Sequence, residues 1–145
     1  MNAGRFVAAA ALAAAAMLLL SGCSVELRRE HPLACSSDEQ RLLRETLYFG
    51  AGIPGGGEVD AAAWEKFATD VITPAFPQGY TVLDAHGRWR GADAATHAEA
   101  SRIVIIVHAD DARANASVRA IARRYRDAFH QEAVLRERAA VCAAF

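Results

Sequence analysis

The run Ile103-Val104-Ile105-Ile106-Val107 is β-branched without interruption. With no polar residue alternating into it, the run reads as a strand covered on both faces, not one facing water on one side. After it, Asp110 or Asp111 caps a helix whose Val118, Ile121, Ala122, Tyr125 and Phe129 fall on one face, with Arg119, Arg123 and Arg126 elsewhere. Gln131 to Val141 alternates polar and apolar positions around Val134 and Leu135 and reads as the last strand. Before the run, Ala92 to Ser101 reads as a connecting loop. Tyr80 to Trp89, bounded by Gly79 and Gly91, reads as another strand.

Further upstream stands the helix with the fullest set of local signals. Asp60 is its N-cap, Val59 and Trp64 form a hydrophobic staple, and Trp64, Phe67, Ala68, Val71 and Ile72 make the apolar stripe. Pro74 is expected to end it, because the residue before a proline is pushed out of the helical region. The β-favouring segment Glu45 to Phe49 supplies the first strand, followed by a glycine-rich loop from Gly50 to Gly57. Ser36-Ser37-Asp38 is placed to cap a short helix over Glu39 to Arg44. The order is β-α-β-β-α-β, which defines an α+β ferredoxin-like sandwich with an antiparallel sheet in the order 4-1-3-2 and both helices on one face. The all-apolar strand is then central with one face bare, and a second copy of the chain is the simplest cover, making a homodimer the expected partner.

The N-terminal residues carry an address. Arg5 is followed by an uncharged Ala/Leu-rich stretch from Phe6 to Leu20 and then by Leu20-Ser21-Gly22-Cys23. This is the pattern of a lipoprotein signal peptide, since the stretch falls short of a hydrocarbon core about 30 Å thick. The expectation is a signal over 1–22, lipidation of Cys23 by diacylglycerol and palmitate, a tether over 23–34 and one domain over 35–145. Ser24 in place of Asp after the lipidated cysteine resembles the sorting pattern for the periplasmic face of the outer membrane. The membrane partner is thus reached through the lipid anchor.

Composition excludes more than it suggests. The chain holds 16 basic and 17 acidic residues, and loss of Arg5 with the signal leaves 15 against 17. A nucleic-acid binder would carry a basic excess or block, and none is present in the sequence. Once Cys23 is lipidated, Cys35 and Cys142 remain. In an oxidising exported compartment their default is one disulfide, the alternative being two buried thiols.

Gly50-x-Gly52-x-x-Gly55 matches a dinucleotide-binding fingerprint in letters only, because Pro54, two further glycines and Glu58 intervene before the Asp60 cap. His31, His86, His97, His108 and His130 have no metal-ligand spacing, so no metal and no cofactor is expected. Neither Ser101 nor Ser117 lies in a nucleophile elbow, and no catalytic set is assigned.

The blocks Leu47-Tyr48-Phe49-Gly50, Trp64-x-x-Phe67, Thr73-Pro74-Ala75-Phe76-Pro77, Thr81 to Arg90 and Arg102 to His108 resemble the domain-of-unknown-function 3574 family. The resemblance covers roughly Cys35 to Phe145. It implies a small bacterial exported or lipid-anchored protein with a single domain, and it implies no catalytic or binding residue.

Two functional readings follow. The first is a lipid-anchored envelope protein acting as a binding or accessory module for an unknown small molecule or protein. The alternative is a small periplasmic enzyme whose pocket lies between the sheet and the glycine-rich loop, with Tyr48, Asp84, His86 and Arg88 as its polar groups. Convergence of these side chains in one cavity favours the enzyme, and their dispersal favours the binding module.

Overall fold

The computed structural model describes residues 33–145. The expected signal peptide over 1–22, the expected lipidation at Cys23 and the expected tether as far as Pro32 lie outside the described residues. Four strands and two helical stretches follow in order: β1 (Gln40–Gly50), α1 (Ala61–Phe67) running on through a π-helical turn (Ala68–Ile72) into α2 (Thr73–Ala75), β2 (Thr81–Arg90), β3 (Thr96–His108), α3 (Ala112–Phe129) and β4 (Leu135–Ala143). The sheet is antiparallel in the order β2-β3-β1-β4, the ferredoxin-like arrangement.

Register explains which residues are inside. Leu43, Glu45, Leu47 and Phe49 of β1 stand opposite His108, Ile106, Val104 and Arg102 of β3. By the two-residue period all of these point to the helix side. There Leu47, Phe49, Val104 and Ile106 pack with Trp64, Phe67 and Ile72 from the first helical stretch and Val118, Ile121 and Tyr125 from α3. The centre is aromatic. Tyr125 lies edge-on to Phe49 at 4.7 Å and to Phe67 at 5.1 Å between ring centroids, geometry favoured by the ring quadrupoles. Its hydroxyl donates to the Gly50 carbonyl at 2.9 Å, and burial pushes its pKa up to about 12.

The opposite face of the sheet is open. Ile103 and Ile105 lie there half-buried, and Leu83, Val107, Trp89 and Leu135 are exposed. The central strand therefore has one face in the core and one facing outward.

Several boundaries differ from the sequence reading. Glu39 to Arg44 is not a helix: Ser36 to Glu39 forms a turn, and from Gln40 the chain is already β1, paired on both sides with β3 and β4. Tertiary pairing overrides a weak local cap there. Pro74 does not end the helical stretch. Thr73 N–H donates to Ala68 O five residues back, and this widened turn sets Pro74 at the start of a new turn, where a missing N–H costs nothing. Residues 96–101 are strand, not loop, because β2 and β3 join through a tight turn at Gly91 to Ala95, with Ala94 in the left-handed region. Of the two expected caps Asp111 is the one that caps α3, its carboxylate accepting from Ala114 N at 2.8 Å, whereas β4 starts at Leu135 instead of Gln131.

Cys35 is bonded to Cys142, with Cα atoms 5.4 Å apart. The register accounts for the encounter, since Arg41 at the start of β1 pairs with Cys142 near the end of β4. Among the described residues no helix is long and apolar enough to cross a membrane.

Candidate functional site

Two clefts meet where the glycine-rich loop, the β2–β3 hairpin and the α3–β4 connection come together. One, of about 220 Å³, is lined by Tyr48, Arg88, Trp89, Glu99, Gln131, Glu132 and Leu135 among others. The second, of about 370 Å³, lies under Gly52 to Gly55 with Asp93 and His97. They share Trp89, Glu99, Gln131 and Glu132. Together they offer the volume of a small-molecule site with two aromatic walls and several polar groups.

Each polar group is held by a local cause. Glu99 folds across the end of β1, accepting from Gly52 N at 2.9 Å. Glycine leaves room for this carboxylate: a Cβ on Gly50 would sit 2.5 Å, and one on Gly52 2.9 Å, from a Glu99 carboxylate oxygen. From the far side Gln131 donates to Gly52 O at 2.5 Å, while Glu132 accepts from Ala92 N at 3.3 Å. Asp93 and His97, 3.0 Å apart, form a pair beneath Trp89, whose ring centroid lies 5.2 Å from that of His97. The hydrogen bond to Asp93 raises the His97 pKa, and the same contact lowers that of Asp93. Tyr48 donates to Glu137 at 2.7 Å, and this bond holds its phenol pKa above the ordinary value.

The loop does not cradle phosphate. Gly55, Gly56 and Gly57 take positive φ in a tight turn closed by a Gly52–Glu58 bridge, so its amides do not run into the helix N-terminus, which Asp60 caps. Among the described residues no cluster of three metal-ligating side chains occurs.

Of the four polar residues singled out in the sequence, Tyr48 and Arg88 line the smaller cleft. Asp84 and His86 line a different groove of about 320 Å³, with Glu58, Asp60 and Arg102. Alternation separates Asp84 and His86, which point to the helix side of β2, from Tyr48, which points to the open side of β1; Arg88, of the same parity as Asp84 and His86, borders the smaller cleft beside Gly87 and Trp89. Sequence reasoning missed Glu99, Gln131 and Glu132. Their signal was the short polar stretch ending the hairpin, read as a connecting loop, and the polar residues after α3, read as the start of the last strand.

A second polar cluster was also missed. Glu45 is fully buried on the helix side of β1, its carboxylate accepts from Arg136 Nε at 2.6 Å and from Arg136 Nη2, and Arg138 Nε lies 3.3 Å away as an ion-pair partner. His108 Nε2, buried without a hydrogen-bond partner, lies 3.7 Å from the same carboxylate, its Nδ1 donating to Ala109 O. Asn115 of α3 accepts from Arg138 at 2.6 Å.

Residues 44–145 match the family model described as Protein of unknown function (DUF3574). The chain belongs to this family. No curated protein matches it. Among solved structures, this family member is similar to a phage SAM lyase in complex with S-methyl-5'-thioadenosine, with TM-score 0.57 and 11% identity over 79% of this chain and 96% of the lyase. The same kind of lyase in its apo state gives TM-score 0.54 and 15% identity, over 79% and 97%. At such identities the likeness is one of fold.

Proposed function

We propose that this protein is a lipid-anchored module of the bacterial cell envelope that binds a small ligand carrying a flat ring and hydrogen-bond donors or positive charge. The observation that carries the reading is the pair of clefts sharing Trp89 and Glu99. A Trp face takes a planar ring, and carboxylates of Glu99 and Glu132 favour hydroxyl donors or a cation. S-Methyl-5'-thioadenosine, the molecule in the similar phage enzyme, has this chemistry, and so does SAM with its sulfonium. The anchor at Cys23 and delivery to the outer membrane are supported by the N-terminal sequence. Self-association through the open face of the sheet is supported by the exposed Leu83, Val107 and Leu135.

The test is calorimetric titration of the full chain in neutral detergent with S-methyl-5'-thioadenosine and with SAM. Binding that weakens about tenfold, or about 1.4 kcal/mol, in Glu99→Gln supports the reading. Absence of heat with both contradicts it. A second reading, a small enzyme, is favoured by the span of the likeness, which takes in nearly all of the phage lyase. Release of S-methyl-5'-thioadenosine from SAM, followed by chromatography, would replace the binding module with that enzyme.

A further inference from the structure

On the other side of the sheet, β4 and the start of α3 border an open cleft of about 500 Å³ lined by Ala112, Asn115, Arg119, Arg136 and Arg138. We infer that this cleft is a separate oxyanion site that takes the phosphate group of a small molecule or of a lipid headgroup.

Arg136 and Arg138 are two apart on β4, so their side chains share the helix face, and Arg138 stands opposite Glu45 in the register. Glu45 pins both guanidiniums from beneath. Asn115 Oδ1 receives Nη2 of each from above, at 3.4 Å from Arg136 and 2.6 Å from Arg138. Arg138 also meets the exposed Asp110 at 3.0 Å. Four residues further along α3, on the same side of the helix, exposed Arg119 adds a third guanidinium. Two held guanidiniums and the exposed Arg119 thus face two carboxylates, and only Asp110 lies at the surface. Neither Nη1 of Arg136 nor that of Arg138 is used by Glu45, Asn115 or Asp110.

A fully buried carboxylate on a central strand is costly, and an apolar residue there would serve stability as well. Its effect here is to hold two guanidinium planes rigidly at the mouth of a cleft. Arginine forks fixed in this way match the paired oxygens of a phosphate.

The experiment titrates the full chain in neutral detergent with inorganic phosphate and, separately, with glycerophosphoglycerol, the deacylated headgroup of phosphatidylglycerol. The readouts are calorimetry and the arginine Nε–Hε resonances. Tighter binding of inorganic phosphate assigns a soluble phosphate, and tighter binding of the diester assigns a headgroup. In either case Arg119→Gln, an exposed change, weakens binding about tenfold, whereas Arg123→Gln on the next turn does not. Two outcomes overturn the inference: neither probe binds at about 10 mM, or Arg119→Gln leaves affinity unchanged.

Discussion

Glu45 and Arg136, 91 residues apart, close a two-bond ion pair between the central strand β1 and the edge strand β4, with the carboxylate fully buried. Removing Arg136 takes both short bonds from the buried carboxylate and leaves it only the longer contacts to Arg138 at 3.3 Å and His108 at 3.7 Å. Arg136→Ala is therefore expected to lower unfolding free energy by about 3 to 5 kcal/mol, and the double change Glu45→Leu with Arg136→Leu to recover much of that loss. Urea titrations of the three proteins check this. An Arg136→Ala midpoint equal to that of the parent would show that the pair contributes nothing.

The Cys35–Cys142 bond closes 107 residues into one loop. In the chain-entropy model a loop of about 100 residues gains up to about 4.7 kcal/mol, and the usual yield is about 2 to 4. Cys142→Ser, or reduction of the parent, should shift the urea midpoint downward by that amount without altering the folded far-ultraviolet spectrum. A peptide map under non-reducing conditions identifies the pair.

His97 and Asp93 set a pH window for the hairpin tip. The His97 pKa is raised, so its contribution is complete below the ordinary 6.5 and is lost as pH rises through the raised value. The Asp93 pKa is lowered, so its contribution is present above the ordinary 3.8 and is lost as pH falls through the lowered value. Because the His97 ring lies beside Trp89, tryptophan fluorescence should titrate with a midpoint above 6.5, and Asp93→Asn should move that midpoint down. An unchanged midpoint in the variant would break the assignment.

The open face of the sheet predicts association. The full chain in detergent should sediment as a dimer at high micromolar concentration, and Leu83→Glu, placed on the exposed strand β2, should make it monomeric. A monomeric parent would require another cover for that face.

What the sequence made legible was the part governed by apolar periodicity. Ile103 to Val107 pointed to the central strand, Asp60 and the Trp64 stripe to the first helix, and their order to the 4-1-3-2 sheet. What stayed hidden depends on partners distant in the chain. Glu45 occupies an inward position in the alternation Leu43, Glu45, Leu47, Phe49, and that misplaced charge was a readable signal once β1 was extended to Gln40. Arg136 and Arg138 on one strand face were its complement. Thr96 to Glu99 looked like loop because it is polar, and only pairing with β2 makes it strand. The cleft residues Glu99 and Gln131 meet Gly52 through contacts 47 and 79 residues long, which no local pattern encodes.

The glycines under Glu99 separate function from fold. In Gly52→Ala the new methyl would meet only the far end of a flexible side chain, so the cost in stability should stay near or below about 1 kcal/mol. The carboxylate of Glu99 must nevertheless shift from its place in the cleft wall, and ligand binding should fall while the urea midpoint hardly moves. Affinity and stability falling together would indicate that Glu99 only supports the loop.

The account rests most on the two clefts that share Trp89 and Glu99. Amide and indole resonances of the full chain, followed during titration with S-methyl-5'-thioadenosine, test it most directly. The prediction is saturable shifts confined to Tyr48, Gly52, Trp89, Glu99, Gln131 and Glu132, with the Trp89 indole moving and the Trp64 indole, buried in the core, staying still. Saturable shifts elsewhere, or a spectrum that does not change, would contradict it.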